Sequence, residues 1–283
     1  MTIIEAIFLG ILQGLTEFLP ISSTGHLTVA GKLMGLIDNA DEAQWWTSFL
    51  DVTQLGTLLE ILLYFWKDLW NILVDFLFDN ILKRKNFSEQ NFNSKLGWYI
   101  ILGTIPVVII GLGFKDVIEG ALTKDLRVIG ASLIGLGIIL AASEKVGKFE
   151  RDLKSINLKD SLLIGLAQCL ALIPGSSRSG TTITAGLFLG LKRETAARFS
   201  FLLSVPAILG SGVLQFIQEY DNLNQSELLN LLIATLFAAI SGYLTIAFLL
   251  NFLKKHTTYL FVFYRILIGI SIFILIWFNF IQP

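Results

Sequence analysis

Glu17, Ser22, Ser23 and His26 lie close together in one apolar stretch of this chain, and Arg178 lies among serines in a second. The first stretch reads Gln13-Gly14-Leu15-Thr16-Glu17-Phe18-Leu19-Pro20-Ile21-Ser22-Ser23-Thr24-Gly25-His26. The second reads Gln168-Cys169-Leu170-Ala171-Leu172-Ile173-Pro174-Gly175-Ser176-Ser177-Arg178-Ser179-Gly180. Both run from Gln through a short apolar segment to Pro, one further residue, Ser-Ser and then Gly. A carboxylate, an imidazole, hydroxyls and a guanidinium make a set suited to phosphate chemistry.

Gln13 and Glu17, four residues apart, share one helix face. A carboxylate in an apolar span is costly unless it faces a partner, so Glu17 reads as a ligand for a hard cation, as a base, or as a tie to a polar neighbour. His26, which titrates near neutral pH, could act as base, acid or nucleophile, and Ser23 beside it as nucleophile. The second break, Gly175 to Thr182, offers two glycines, the hydroxyls of Ser176, Ser177, Ser179, Thr181 and Thr182, and Arg178. Glycines such as Gly175 and Gly180 let backbone N–H groups turn toward an anion, and a helix starting near Thr182 adds its dipole. Arg178 can grip two phosphate oxygens in a fork, or pair with Glu17; either would bring the two breaks together. Asp51 and Gln54 could add a ligand or orient one from behind it, and Glu60 could do likewise. His256, after two lysines, reads as surface, and Cys169 as a small apolar residue.

These groups need elements to position them, and composition says what those elements are. The chain has 283 residues, 54% hydrophobic and only 15% charged, with mean hydropathy +0.71. Soluble domains carry roughly a quarter charged residues. Several apolar segments reach the ~18 residues that cross a bilayer as a helix. The expected fold is an all-α integral membrane protein, a single domain over 1–283. The expected spans are 47–66, 97–114, 126–142, 199–217, 227–250 and 259–280. Residues 1–37 and 160–191 read instead as two re-entrant helix-loop-helix hairpins, since broken backbone at membrane depth must be buried or line a wet cavity.

Most of the 21 Lys and Arg residues fall in the segments 67–95, 143–160, 192–198 and 251–258, which are therefore expected in the cytoplasm. Asp38, Asp41, Glu42, Glu119, Glu219 and Asp221 fall on the other side. This layout inserts the two hairpins from opposite faces. It makes the chain an inverted repeat, 1–142 against 143–283, with an interfacial, Trp-anchored insertion at 67–95. Thr104-Ile105-Pro106 and Ser204-Val205-Pro206 read as a further trace of the repeat. The N-terminus lacks a basic run before its apolar stretch, so no cleaved signal peptide is expected. A net charge of −1 argues against nucleic acid as a partner. Small residues such as Gly130 and Gly242 could support a homodimer or contacts within one chain.

The two motifs together resemble the bacterial undecaprenyl-pyrophosphate phosphatase family of the bacitracin-resistance type. The resemblance implies removal of the terminal phosphate from a polyprenyl pyrophosphate, giving the monophosphate carrier lipid used for peptidoglycan. It implies a bacterial plasma-membrane protein acting at the outer face with a divalent cation, Mg²⁺ or Ca²⁺. By position it puts the cation on Glu17 and, with an amide in place of the family's second carboxylate, on Gln13. It puts the Ser-His region on Ser22, Ser23 and His26, and the phosphate loop on Gly175, Ser176, Ser177, Arg178, Ser179, Gly180 and Thr182. A transporter or flippase of the phosphorylated lipid is the competing reading, because broken helices in inverted repeats also build transporters. Type-2 phosphatidic-acid phosphatases are excluded, because the chain has no Arg-Pro pair.

Overall fold

A computed structural model describes residues 1–37, 40–114, 125–219 and 225–282. Asp38, Glu119 and Asp221 lie outside the described residues, as do the side chains of Asp41, Glu42, Asp51 and Glu219. Among the described residues the chain forms eleven α-helices. They are α1 Ile3–Glu17, α2 Ser23–Leu33, α3 Ala40–Tyr64, α4 Trp66–Leu77, α5 Phe92–Gly113 and α6 Leu126–Val146, then α7 Leu158–Gln168, α8 Arg178–Phe188, α9 Arg193–Glu219, α10 Gln225–Leu253 and α11 Tyr259–Trp277.

Five of these, α5, α6, α9, α10 and α11, contain segments long and apolar enough to cross a membrane. The sixth expected span, 47–66, falls on α3, within which Val52–Tyr64 is apolar, and reaches the start of α4. The helices α1, α2, α7 and α8 are 15, 11, 11 and 11 residues long. Each is too short for a full crossing, and they form the two expected hairpins. The insertion is a helix, α4, followed by a single π turn at Phe78–Leu82. It exposes Trp66, Trp70, Leu73, Val74, Leu77 and Leu82 and turns Ile72 inward.

Packing follows a twofold pattern. The first helix of each hairpin lies against a long helix of the other half, α1 on α10 and α7 on α5. Likewise α3 packs on α10 and α9 on α5, while α3 meets α9 and α6 meets α11 across the middle. This pattern sets α9 opposite α3 rather than α5. The two Pro-containing tripeptides therefore sit on neighbouring helices that face each other, not at matching places. Gly130 packs against Gly269 and Phe273 of α11, and Gly242 against Glu60 of α3, so both are used within the chain.

One end of the bundle is laced by charges. Glu144 at the end of α6 pairs with Arg193 at the start of α9 and accepts from the Thr258 hydroxyl at 2.8 Å. Arg198 reaches Asp68 of α4 at 2.6 Å, Lys254 reaches Glu194 at 3.5 Å, and Arg151 binds Asp160 at the start of α7. At the other end Asn230, near the start of α10, donates to the Met1 carbonyl at 2.8 Å, and Lys32 donates to the Gln282 carbonyl at 2.9 Å. Hence α1 starts near the beginning of α10, and α7 starts at the end where α10 finishes.

Candidate active site

Each hairpin turns through the same local device. In the first, α1 stops at Glu17, Pro20 follows, and Ser22 caps α2 with φ 76° and ψ 101°. In the second, α7 stops at Gln168, Pro174 follows a short 3₁₀ turn, and Ser177 caps α8 with φ 69° and ψ 112°. Positive φ costs a side-chain-bearing residue about 1–3 kcal/mol unless its surroundings impose it. Here each serine hydroxyl accepts the N–H of a glycine three residues on, Gly25 at 3.2 Å and Gly180 at 3.0 Å. The caps match with a shift of one from the Pro-x-Ser-Ser alignment, because the second break holds an extra residue before its cap. That break turns at Gly175, at φ +82°, where a Cβ would lie 2.6 Å from the Ile129 carbonyl oxygen.

In this register Ser23 and Arg178 are equivalent, each the first residue of a helix. Both line one cavity of about 560 Å³, together with Glu17, Ser22, Thr24, Gln54, Gly175, Ser176 and Ser177. Two helix N-termini thus present their positive dipole ends to the same space, a ready site for an anion. The remaining wall is mostly apolar, mainly Val107 to Leu112 of α5 and Pro206 to Leu214 of α9, with Thr28 and Gln168 among its polar members.

Glu17, buried at 7% exposure, is the hub. Its Oε1 pairs with Arg178 Nη2, and its Oε2 accepts from the Ser23 hydroxyl at 2.5 Å and from Gln13 Nε2 at 3.1 Å. Gln54 Oε1 lies 3.5 Å from the same guanidinium nitrogen. Gln13 thus turns its amide nitrogen toward Glu17 and steadies the carboxylate.

Other expected residues lie elsewhere. His26 donates from Nδ1 to the Ser22 carbonyl at 2.6 Å, which leaves Nε2 to accept from the Tyr264 hydroxyl at 2.9 Å. It is absent from the cavity wall. The helix expected near Thr182 starts at Arg178, so Thr182 lies one turn inside it and bonds back to the Arg178 carbonyl at 2.7 Å. Ser179 donates to the Leu19 carbonyl at 3.0 Å and joins the two breaks. The N–H of Gly180 is taken by its cap, and its missing side chain leaves room for Arg265. These three stand behind the loop rather than on the cavity wall.

Arg265 is the residue that motif reading misses. It is 1% exposed in α11, yet its guanidinium donates to Pro20 O at 3.1 Å in the first break and Ser176 O at 3.0 Å in the second. Its Nε donates to Leu133 O of α6 at 3.2 Å. The available signal was a lone arginine inside an apolar span, which by default needs a buried partner.

A hard divalent cation takes about six oxygen ligands, and Mg²⁺ draws most of them from water and phosphate. Among the described residues no group of three or more His, Cys, Asp and Glu side chains forms a cage. Glu17, with Gln54 and the Ser23 hydroxyl nearby, offers oxygen donors of the kind such a cation takes.

Relatives place the chain. The model of the family described as bacitracin resistance protein BacA matches residues 6–271. The undecaprenyl-diphosphatase of Syntrophobacter fumaroxidans is 55% identical over 269 residues, 95% of each chain. That of Pelodictyon phaeoclathratiforme is 49% identical over 294 aligned positions, the whole of both chains. That of Chlorobium phaeobacteroides is 50% identical over 281 residues, 96% of each. A match spanning both breaks and nearly the full length means that this chain belongs to the BacA family.

Proposed function

We propose that this chain is a membrane phosphatase that hydrolyses undecaprenyl or a similar polyprenyl pyrophosphate to the monophosphate carrier lipid and inorganic phosphate, and so supports cell-wall synthesis and bacitracin resistance. The observation that carries this reading is one cavity in which Glu17 touches both a serine hydroxyl and a guanidinium. Ser23 Oγ is set to attack the distal phosphorus while Glu17 Oε2 takes its proton across the 2.5 Å contact. The P–O bond to the lipid phosphate breaks and the carrier lipid leaves. The first proton leaves Glu17 with the departing lipid phosphate; water then attacks the phosphoserine, Glu17 accepts a proton from that water and returns it to Ser23 Oγ as the serine O–P bond breaks, and orthophosphate departs. Arg178 and the helix starts Ser23 and Arg178 hold the charged oxygens, where most phosphoryl-transfer catalysis resides. Glu17 would hold Mg²⁺ or Ca²⁺, which when bound would neutralise phosphate charge.

The two hairpins begin at opposite ends of α10, which supports an inverted repeat with its site near mid-depth. The charge-laced end holds the basic loops and is assigned to the cytoplasm. The cavity draws on the C-terminal halves of α5 and α9, which run away from that end, so the site opens toward the outer face of the bacterial plasma membrane.

Phosphate release from polyprenyl pyrophosphate by detergent-purified protein tests the proposal, with and without chelator, for wild type, Glu17→Ala and Arg178→Ala. Release that falls at least about a hundredfold in both variants and on chelation is expected. No release by wild type with cation present would favour the transporter reading, and full activity in Arg178→Ala would overturn the site.

A further inference from the structure

Four buried polar atoms on residues of the cavity wall have no hydrogen-bond partner: Thr28 Oγ1, Gln168 Oε1 and Nε2, and Ser176 Oγ. Thr28 and Gln168 are 0% exposed and Ser176 is 1% exposed. Buried polar groups are almost always satisfied, so unpaired groups on three residues that line one cavity point to something that enters it. Gln168 makes the case most clearly. It corresponds to Gln13, the glutamine of the other hairpin, whose amide is held by Glu17 four residues on. Four residues after Gln168 stands Leu172, which offers nothing to bond.

The three side chains are neutral donors, unlike Arg178. Gln168 and Ser176 also flank the apolar lining residues Ala171, Leu172 and Ile173, where a prenyl chain would lie. We propose that Thr28, Gln168 and Ser176 form a second oxyanion subsite that holds the lipid-proximal phosphate, the one retained in the product. Ser23, Glu17 and Arg178 act on the distal phosphate. This rests on the pyrophosphatase reading. Negative charge grows on the proximal phosphate as its bridging bond breaks, and neutral N–H and O–H donors stabilise that charge while letting the product go more readily than a guanidinium would.

Direct binding separates the two subsites and needs no turnover. Calorimetry would compare a polyprenyl monophosphate and orthophosphate on wild type, Gln168→Met and Thr28→Val, substitutions that keep volume and remove hydrogen bonds. Each variant should bind the monophosphate lipid about tenfold more weakly, as expected for a lost hydrogen bond to a charged group. Orthophosphate affinity should stay within about twofold, which also shows that the variant is folded. Unchanged lipid affinity in both variants, or equal weakening toward both ligands, would overturn the subsite. Wild-type protein that binds both ligands yet releases no phosphate would overturn the pyrophosphatase reading instead.

Discussion

Ser23 and Arg178 are counterparts: each opens a helix behind a serine cap with nearly the same backbone angles, and both touch Glu17. One copy of the device presents a serine hydroxyl and the other a guanidinium. Two helix starts converge on one carboxylate and bring different groups to it.

The division predicts which hydroxyl and which ring matter. Ser23→Ala should lower phosphate release about a thousandfold or more and abolish any acid-stable phosphoserine. Tyr264→Phe, which removes only the donor to His26 Nε2, should cost less than about a hundredfold. Rapid-quench trapping with labelled substrate checks both; label on His26 would reverse the assignment.

Arg265 should act on the scaffold. Its guanidinium spans carbonyls of both breaks, so Arg265→Met leaves them unpaired and should cost about 3 kcal/mol or more. Arg265→Lys should not rescue, since one ammonium cannot reproduce the fork. Thermal unfolding in detergent reads the loss.

Glu60 and Gly242 are coupled by shape. Glu60 is 0% exposed, neither carboxylate oxygen has a partner, and a Cβ on Gly242 would fall 1.4 Å from Oε2. Gly242→Ala alone should lower the melting temperature sharply, while adding Glu60→Ala should recover most of the loss. The double-mutant cycle should show a coupling of at least about 1 kcal/mol; additive effects would refute the contact.

Acid should loosen the insertion. Lys85, and then the Asn91 N–H, hold the Asp79 carboxyl below the usual carboxylate range. A depressed folded-state value stabilises fully above the unfolded value of about 3.9 and is lost as pH falls through the folded one. The melting temperature should therefore drop more between pH 5 and pH 3, taken as approximate bounds, in wild type than in Asp79→Asn.

Much of this site was legible because membrane burial leaves few reasons for polar residues. Glu17 and Arg178 stood out as charges within apolar runs, and the repeated Pro-Ser pattern paired the breaks. Side-chain direction was not legible. His26 lies one helical turn from Ser22, and sequence spacing alone does not tell that its ring points to Tyr264. The Pro-x-Ser-Ser match is off by one residue because the second break holds one more residue between its proline and its cap. Matching Ser22-Ser23-Thr24-Gly25 to Ser177-Arg178-Ser179-Gly180, by cap and glycine, aligns the helices. Arg265 belongs to no motif; its role depends on which helix faces the breaks, and apolar periodicity does not encode that.

The ion pair between Glu17 and Arg178 gives the resting protein its own stand-in anion. Under the proposed function, a substrate phosphate that takes the same guanidinium nitrogen displaces that carboxylate, so binding is an exchange and only the difference in strength is kept. A monoanion gains little by the swap, whereas a terminal phosphate with two charges gains more, so the site discriminates by charge before any bond is broken.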